Sequence, residues 1–230
     1  MGLKESGLRG SLRSVSMGVS AIPDSDIYQY DASDKTDVDP WVADVGDDAL
    51  AVGAPTVITD AVDDQNAVGY DGTDDAHNTQ HTADNSQDQT YYLVVNIQSD
   101  TSDFEPFYGA ESSGNRHYIA AQDSGYTVGV GDTAQTATNE LNVNEFVLLE
   151  LEITGNSSFR FYQNDTELIN TSYGGGGELS DEDHIAARKR DGNLEFGIEL
   201  QMAEVRKDQS DTRNPDITQG LAEKWGINLG

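Results

Sequence analysis

Ahead of Pro215 the sequence suggests no helix of useful length, whereas short runs of strand character recur along it. Many short strands at regular spacing, with helix confined to the end, leave one arrangement that buries them all: two packed sheets. The strand candidates are Tyr91–Ile97, Tyr126–Val130, Phe146–Ile153, Phe159–Gln163, Leu168–Thr171 and Leu194–Val205. Residues 24–75 read as loops and short strands, with Trp41, Leu50, Val52, Val57, Ile58, Val68 and Tyr70 feeding the core. Residues 76–90, AHNTQHTADNSQDQT, are polar enough to read as a surface loop, and Gly174 to Gly177 as a mobile loop tip. The expectation is an all-β, two-sheet antiparallel sandwich over residues 24–230, preceded by an arm at 1–23.

The C-terminal run closes that sandwich. Leu194, Phe196, Ile198 and Leu200 alternate with Glu195, Gly197, Glu199 and Gln201, which is the strand period, and Asp191-Gly192 before them signals a tight turn. Helix signals follow. Asn214 is placed as N-cap, Pro215 at the first helical position, and Asp216 where the helix dipole favours negative charge. Ile217, Leu221 and Trp225 fall four apart in one apolar stripe, and Gly226 stands where a C-terminal cap belongs. A helix with a single apolar face must lie on something already folded.

Composition excludes several function classes. There is no Cys, so neither a disulfide framework nor a Cys-based metal site exists. No apolar run reaches the roughly 18 residues of a membrane span. The N-terminal residues MGLKESGLRGSLRSVSMGV lack the apolar core of a secretory signal, so the expectation is synthesis in a cytoplasm without cleaved export. The 42 acidic and 13 basic residues give a net charge of −29, which repels nucleic acid and anionic membranes. Acids scattered over the chain with only five Lys fit a protein kept soluble in concentrated salt. An acidic surface loaded with calcium is the competing reading, and folding measured against KCl concentration separates the two.

The charge is uneven. Residues 1–23 carry Lys4, Arg9 and Arg13 against the single acid Glu5, while residues 24–105 hold twenty acids and one base, Lys35. A basic head on an acidic protein suits attachment to an acidic partner. Lys4, Leu8, Arg9, Leu12 and Arg13 form the candidate assembly arm, too rich in apolar residues for a free tail.

Candidate chemistry is sparse. Asp71, Asp74 and Asp75, in DGTDD, put three hard oxygen ligands on one turn, as calcium requires; a salt-adapted acidic turn is the alternative. His77 and His81 stand four apart, a zinc spacing on a helix, but their segment reads as an exposed polar loop. Glu150 with Glu152, and Glu195 with Glu199, are the nearest approach to paired glycosidase carboxylates. Both pairs read as solvated strand faces, so no catalytic residue is assigned. Asn156, Asn164 and Asn170 head sequons at predicted strand ends and are candidate glycosylation sites.

Several segments carry a resemblance. They are YDAS at 30–33, VGDDALAVGAP at 45–55, AVGYDGTDD at 67–75, QMAEV at 201–205 and, most specific, GLAEKWGI at 220–227. Over residues 27–227 the chain resembles the laminin-G/concanavalin-A-like jelly-roll family, above all versions in phage and bacterial surface proteins. The leader GLRGSLR at 7–13 is similar to the start of tailed-virus structural proteins. The resemblance implies a concanavalin A-like jelly roll used for adhesion or assembly. With the salt-adapted composition, it implies a structural virion surface protein of a haloarchaeal tailed virus, a capsid turret or decoration or a tail-associated module. Its expected partners are copies of itself, other capsid or tail proteins and, in the alternative reading as a carbohydrate-binding adhesion module, host surface glycans. A bound Ca²⁺ is the one cofactor considered.

Overall fold

Alternation along a strand sends one set of side chains between the sheets and the other outward. The computed structural model, which describes residues 22–230, shows both sets. The first sheet contains β1 (Tyr28–Asp31), β3 (Thr56–Val62), β4 (Gln65–Tyr70), β6 (Gln89–Ile97), β11 (Phe146–Thr154), β12 (Ser158–Gln163), β13 (Thr166–Ser172) and β17 (Leu200–Asp208). Its order is β13-β12-β11-β6-β17-β4-β3, with β1 also paired to β17. The second contains β2 (Leu50–Val52), β5 (Ala76–Asp84), β7 (Glu105–Ser112), β8 (Asn115–Gln122), β9 (Gly125–Gly131), β10 (Thr133–Ala137) and β14 (Glu178–Ile185). These run in the order β10-β9-β8-β7-β14-β5-β2. A hairpin of β15 (Ala187–Arg190) and β16 (Asn193–Phe196) joins β7, with β15 parallel to it and Lys189 opposite Ala110. Every other pairing between these strands is antiparallel.

The expected two-sheet sandwich is therefore the fold. Its interior is filled by Leu93, Val95 and Ile97 of β6 and Leu149, Leu151 and Ile153 of β11, with Ile119 of β8 and Val128 and Val130 of β9, all fully buried. Asp191 and Gly192 close the β15–β16 hairpin with φ of 46° and 83°, the two left-handed residues a tight hairpin turn demands.

The closing helix, α1 (Pro215–Lys224), forms as its signals require. The Asn214 carboxamide accepts from the Asp216 amide at 3.0 Å, and Pro215 occupies the first turn. Ile217, Leu221 and Trp225 are buried on the outer face of the first sheet against Ala67, Tyr92, Val94, Leu148 and Ala203. Trp225 stacks on Phe146, centroids 6.4 Å apart. Gly226 takes φ of 64°, and the Ile227 amide reaches back to the Ala222 carbonyl at 2.8 Å, which ends the helix. Beneath the helix Glu204 accepts from Arg206 Nε at 2.6 Å, Lys224 Nζ at 2.7 Å and Trp225 Nε1 at 3.0 Å.

Several expectations need correction. The run Leu194–Val205 is two strands: the chain crosses from the second sheet to the first at Gly197–Glu199, outside any strand. Gly197 makes the crossing possible, because a Cβ there would stand 1.8 Å from the Pro106 carbonyl oxygen. Residues 76–90 are not a loop but β5 and the start of β6. The inward positions of β5 are His77 and Thr79, whose polar atoms are satisfied internally, so no apolar alternation marks the strand. Trp41, Val68 and Tyr70 are buried as expected, and Val52, Val57 and Ile58 half-buried. Leu50, on the short edge strand β2, is 47% exposed instead. The arm residues Lys4, Leu8, Arg9, Leu12 and Arg13 lie outside the described residues. The first described residues, Ile22 and Pro23, meet the body beside α1: Ile22 packs on the helix cluster, and Arg206 Nη1 donates to the Pro23 carbonyl at 2.7 Å.

Candidate functional site

Among the described residues, helix α1 covers one end of the outer face of the first sheet and leaves the other uncovered. There β4 runs into the turn Asp71–Asp75, and a groove of about 380 Å³ lies between that turn, β3 and the start of β17. Its walls carry Thr56, Ile58, Gln98, Glu199 and Gln201. Gly69 floors it, because any Cβ there would press to 2.9 Å from the Ile58 side chain.

The turn is built to aim carboxylates. Asp71 Oδ1 accepts from the Thr73 amide at 2.8 Å, which folds DGTDD back on itself. Gly72, at φ of 73°, lies so close on the backbone of residues 197–199 that a Cβ would come within 2.8 Å of the Glu199 nitrogen. Asp75 is buried, and its Oδ1 accepts from the Ala54 amide at 2.6 Å. As a result, one oxygen each of Asp71, Asp74 and Asp75 lies within 4.8 Å of the others, with Asp71 and Asp74 exposed. Three carboxylates at that spacing, with backbone carbonyls and water to complete six to eight oxygens, are a donor set that suits a hard cation such as calcium. The structure thus gathers all three predicted site residues on one rim of the groove.

The histidines have a different job. His77 is fully buried, correcting the exposed-loop reading. Its Nε2 lies 2.6 Å from the Val38 carbonyl oxygen and so carries the proton, which leaves Nδ1 to accept from the Tyr70 hydroxyl at 2.8 Å. Both nitrogens are committed, and burial pushes its pKa down to about 4, so it is neutral and holds no metal. It ties β4 to β5 directly behind the turn. His81 is half-buried at the far end of β5, against the Tyr28 ring.

Glu150 and Glu152 are not solvated either. Both are buried beside α1. Glu150 accepts from Arg213 Nη1 at 2.7 Å and from the Thr218 hydroxyl at 2.5 Å. Glu152 accepts from the Arg213 amide at 2.7 Å and the Tyr162 hydroxyl at 3.0 Å. Burial raises the Glu150 pKa against the pull of Thr218 and Arg213. With every oxygen engaged, the pair fastens the start of the helix to β11. Glu195 pairs with Arg188 on the outer hairpin, whereas Glu199 stands exposed on the groove rim, so those two carboxylates do not converge. Of the sequon residues, Asn156 and Asn170 are exposed, and Asn164 is half-buried with its Oδ1 accepting from the Leu148 amide at 2.9 Å.

No family model matches the sequence, and no curated protein matches it either. Solved structures do match in fold. The binding domain of Paraclostridial Mosquitocidal Protein 1 aligns with a TM-score of 0.64 at 9% identity, over 83% of this chain and 53% of that one. The botulinum neurotoxin serotype D binding domain aligns at 0.63 and 11%, over 89% of this chain and 54% of that one. Domain 4 of AbnA, an extracellular arabinanase of Geobacillus stearothermophilus solved with arabinotriose, aligns at 0.56 and 12%, over 84% and 96%. The chain spans about half the length of the two toxin domains. The likeness establishes a jelly-roll β-sandwich of the kind seen in these binding domains. At such identities it establishes the fold alone.

Proposed function

We propose that the protein is a non-enzymatic, carbohydrate-binding adhesion module whose glycan seat is the groove beside the DGTDD turn. The observation that carries this reading is the groove itself. At about 380 Å³ it falls within the ~300–1,000 Å³ of small-molecule sites. It presents amides, a hydroxyl and carboxylates, the donors and acceptors that sugar hydroxyls need, around the apolar Ile58. Calcium in the Asp71–Asp74–Asp75 turn would fix the rim and offer hydroxyls a further ligand. The fold supports the reading, since several of its structural neighbours are named as binding domains. A glycan array in molar KCl, run with calcium and with chelator, tests it. Binding that falls on chelation and in Asp75→Asn supports the proposal; a blank array in both conditions refutes it.

The second reading places this module on a virion surface, with the arm at 1–23 as anchor. Ile22 and Pro23, where the described residues begin, meet the body beside α1 and not at the groove, which supports it. Truncation of residues 1–21 should abolish incorporation into particles; full incorporation of the truncated protein would rule out the anchor. The net charge of −29 supports salt adaptation, to be seen as stability that rises with KCl.

A further inference from the structure

Ten of the thirteen basic side chains lie in the described residues, and nine of these have a carboxylate oxygen within 4.0 Å. Lys207 is the exception, in a chain with 42 acids. It is 3% exposed, points between the sheets beside Tyr28 and Tyr91, and finds one acceptor, the Thr82 carbonyl, at 3.5 Å. Burial lowers its pKa, and Asp183 and Asp84 oppose that shift. A buried ammonium group needs acceptors to replace the water it has lost. Among the described residues one carbonyl at 3.5 Å is in reach, for three N–H donors.

The side chain lines a pocket of about 190 Å³ at the end of the sandwich opposite the groove. Leu200 borders the groove and Lys207 the pocket, so along β17 the two sites stand roughly 23 Å apart. His81 lines the same pocket, and its Nε2 is buried without a hydrogen-bond partner. Asp84 forms part of the wall, and Gln87 and Gln209 stand exposed at the rim. The interior layer that Lys207 enters holds further groups in want of partners: both Asp183 oxygens and His117 Nε2.

An occupant must accept from Lys207 and donate to His81 Nε2 or Asp84. An anion does the first but meets Asp84, Asp183 and the field of the whole acidic protein. A hydroxyl does both. The volume is below the ~300–1,000 Å³ of drug-sized sites, so only a small unit enters. We propose that this pocket is a second carbohydrate seat, which takes one neutral sugar unit with Lys207 Nζ donating to its hydroxyls. The inference rests on the glycan-binding reading above, and it makes one molecule bivalent along its strand axis.

The test is a titration of the full chain in molar KCl, followed by NMR, with glucose, galactose, mannose and N-acetylglucosamine, and with sodium glucuronate as the anionic comparator. A neutral sugar is expected to shift resonances around Lys207. Lys207→Met should weaken that binding roughly tenfold or more, as loss of a charged hydrogen-bond donor does. Gln87→Trp, which blocks the exposed rim without altering the core, should do the same, and Gln201→Ala in the groove should not. Tighter binding of glucuronate, or binding unchanged in Gln87→Trp, would overturn the proposal. If the array shows glycan binding but no sugar perturbs the Lys207 region, this seat falls while the adhesion reading stands. If the array is blank and no sugar shifts any resonance, both fall.

Discussion

Glu204 and Asp183 are both carboxylates taken out of water by the same sandwich, and the fold treats them oppositely. Glu204 lies under α1 on the outer face of the first sheet, where three donors at 2.6 to 3.0 Å satisfy it. Asp183 lies between the sheets, fully buried, and no hydrogen bond of normal geometry reaches either oxygen. Its pKa is pushed up to about 7 by burial, against the pull of Lys207 and the Tyr108 hydroxyl. The difference teaches where stability and function sit. Partnered buried charge lies on the outer face, where the helix is fastened; unpartnered buried charge lies in the layer between the sheets, beside the Lys207 pocket.

The fastened end should yield the largest effects. Trp225→Ala removes the aromatic that covers Phe146 and donates to Glu204, and should cost roughly 3–5 kcal/mol in denaturant unfolding at high salt. An unchanged midpoint would mean that the helix does not lock the sandwich. Glu204→Gln keeps the shape but leaves Arg206 and Lys224 without their shared counter-charge, and should cost about 1–3 kcal/mol in the same assay. A neutral outcome would equate the two carboxylates and remove the contrast.

Asp183→Asn should behave with the opposite sign. Because the folded-state pKa of Asp183 is raised above the ordinary 3.8, the native state binds the extra proton. Its contribution is therefore fully present below about 3.8 and is lost as pH rises to about 7. The variant lacks that loss, so its stability relative to wild type should climb across this window and level off above it. A difference flat in pH would show that Asp183 is partnered after all. The smallest stability effect is expected at the groove rim, where Asp74→Asn touches an exposed side chain and should shift unfolding by less than about 0.5 kcal/mol without calcium. The same substitution should weaken the stabilisation that added calcium brings, seen in the melting temperature.

The sequence disclosed most where burial follows apolar alternation. β6, β9 and β11 were legible, as was the capped helix, because Asn214, Pro215 and Gly226 act locally. It concealed strands whose inward positions are polar: β5 with His77 and Thr79, which are satisfied, and β14 with Asp183, which is not. Glu150 and Glu152 looked solvated because their partner, Arg213, arrives from more than sixty residues away. The acidic turn could be read directly, since its three carboxylates lie within five residues. The groove could not, for it is assembled from β3, β4, β17 and Gln98 by the sheet register. Lys207 was hidden for the same reason: only its register opposite Tyr28 and Tyr91 places it inward.

The most direct test of the adhesion account is a crystal structure of the full chain grown in high salt with the strongest array ligand and calcium. The account expects sugar density in the groove against Gln98, Gln201 and the DGTDD turn, with a cation held by Asp71, Asp74 and Asp75. A bare groove at saturating ligand, with the sugar bound elsewhere on the surface, would contradict it.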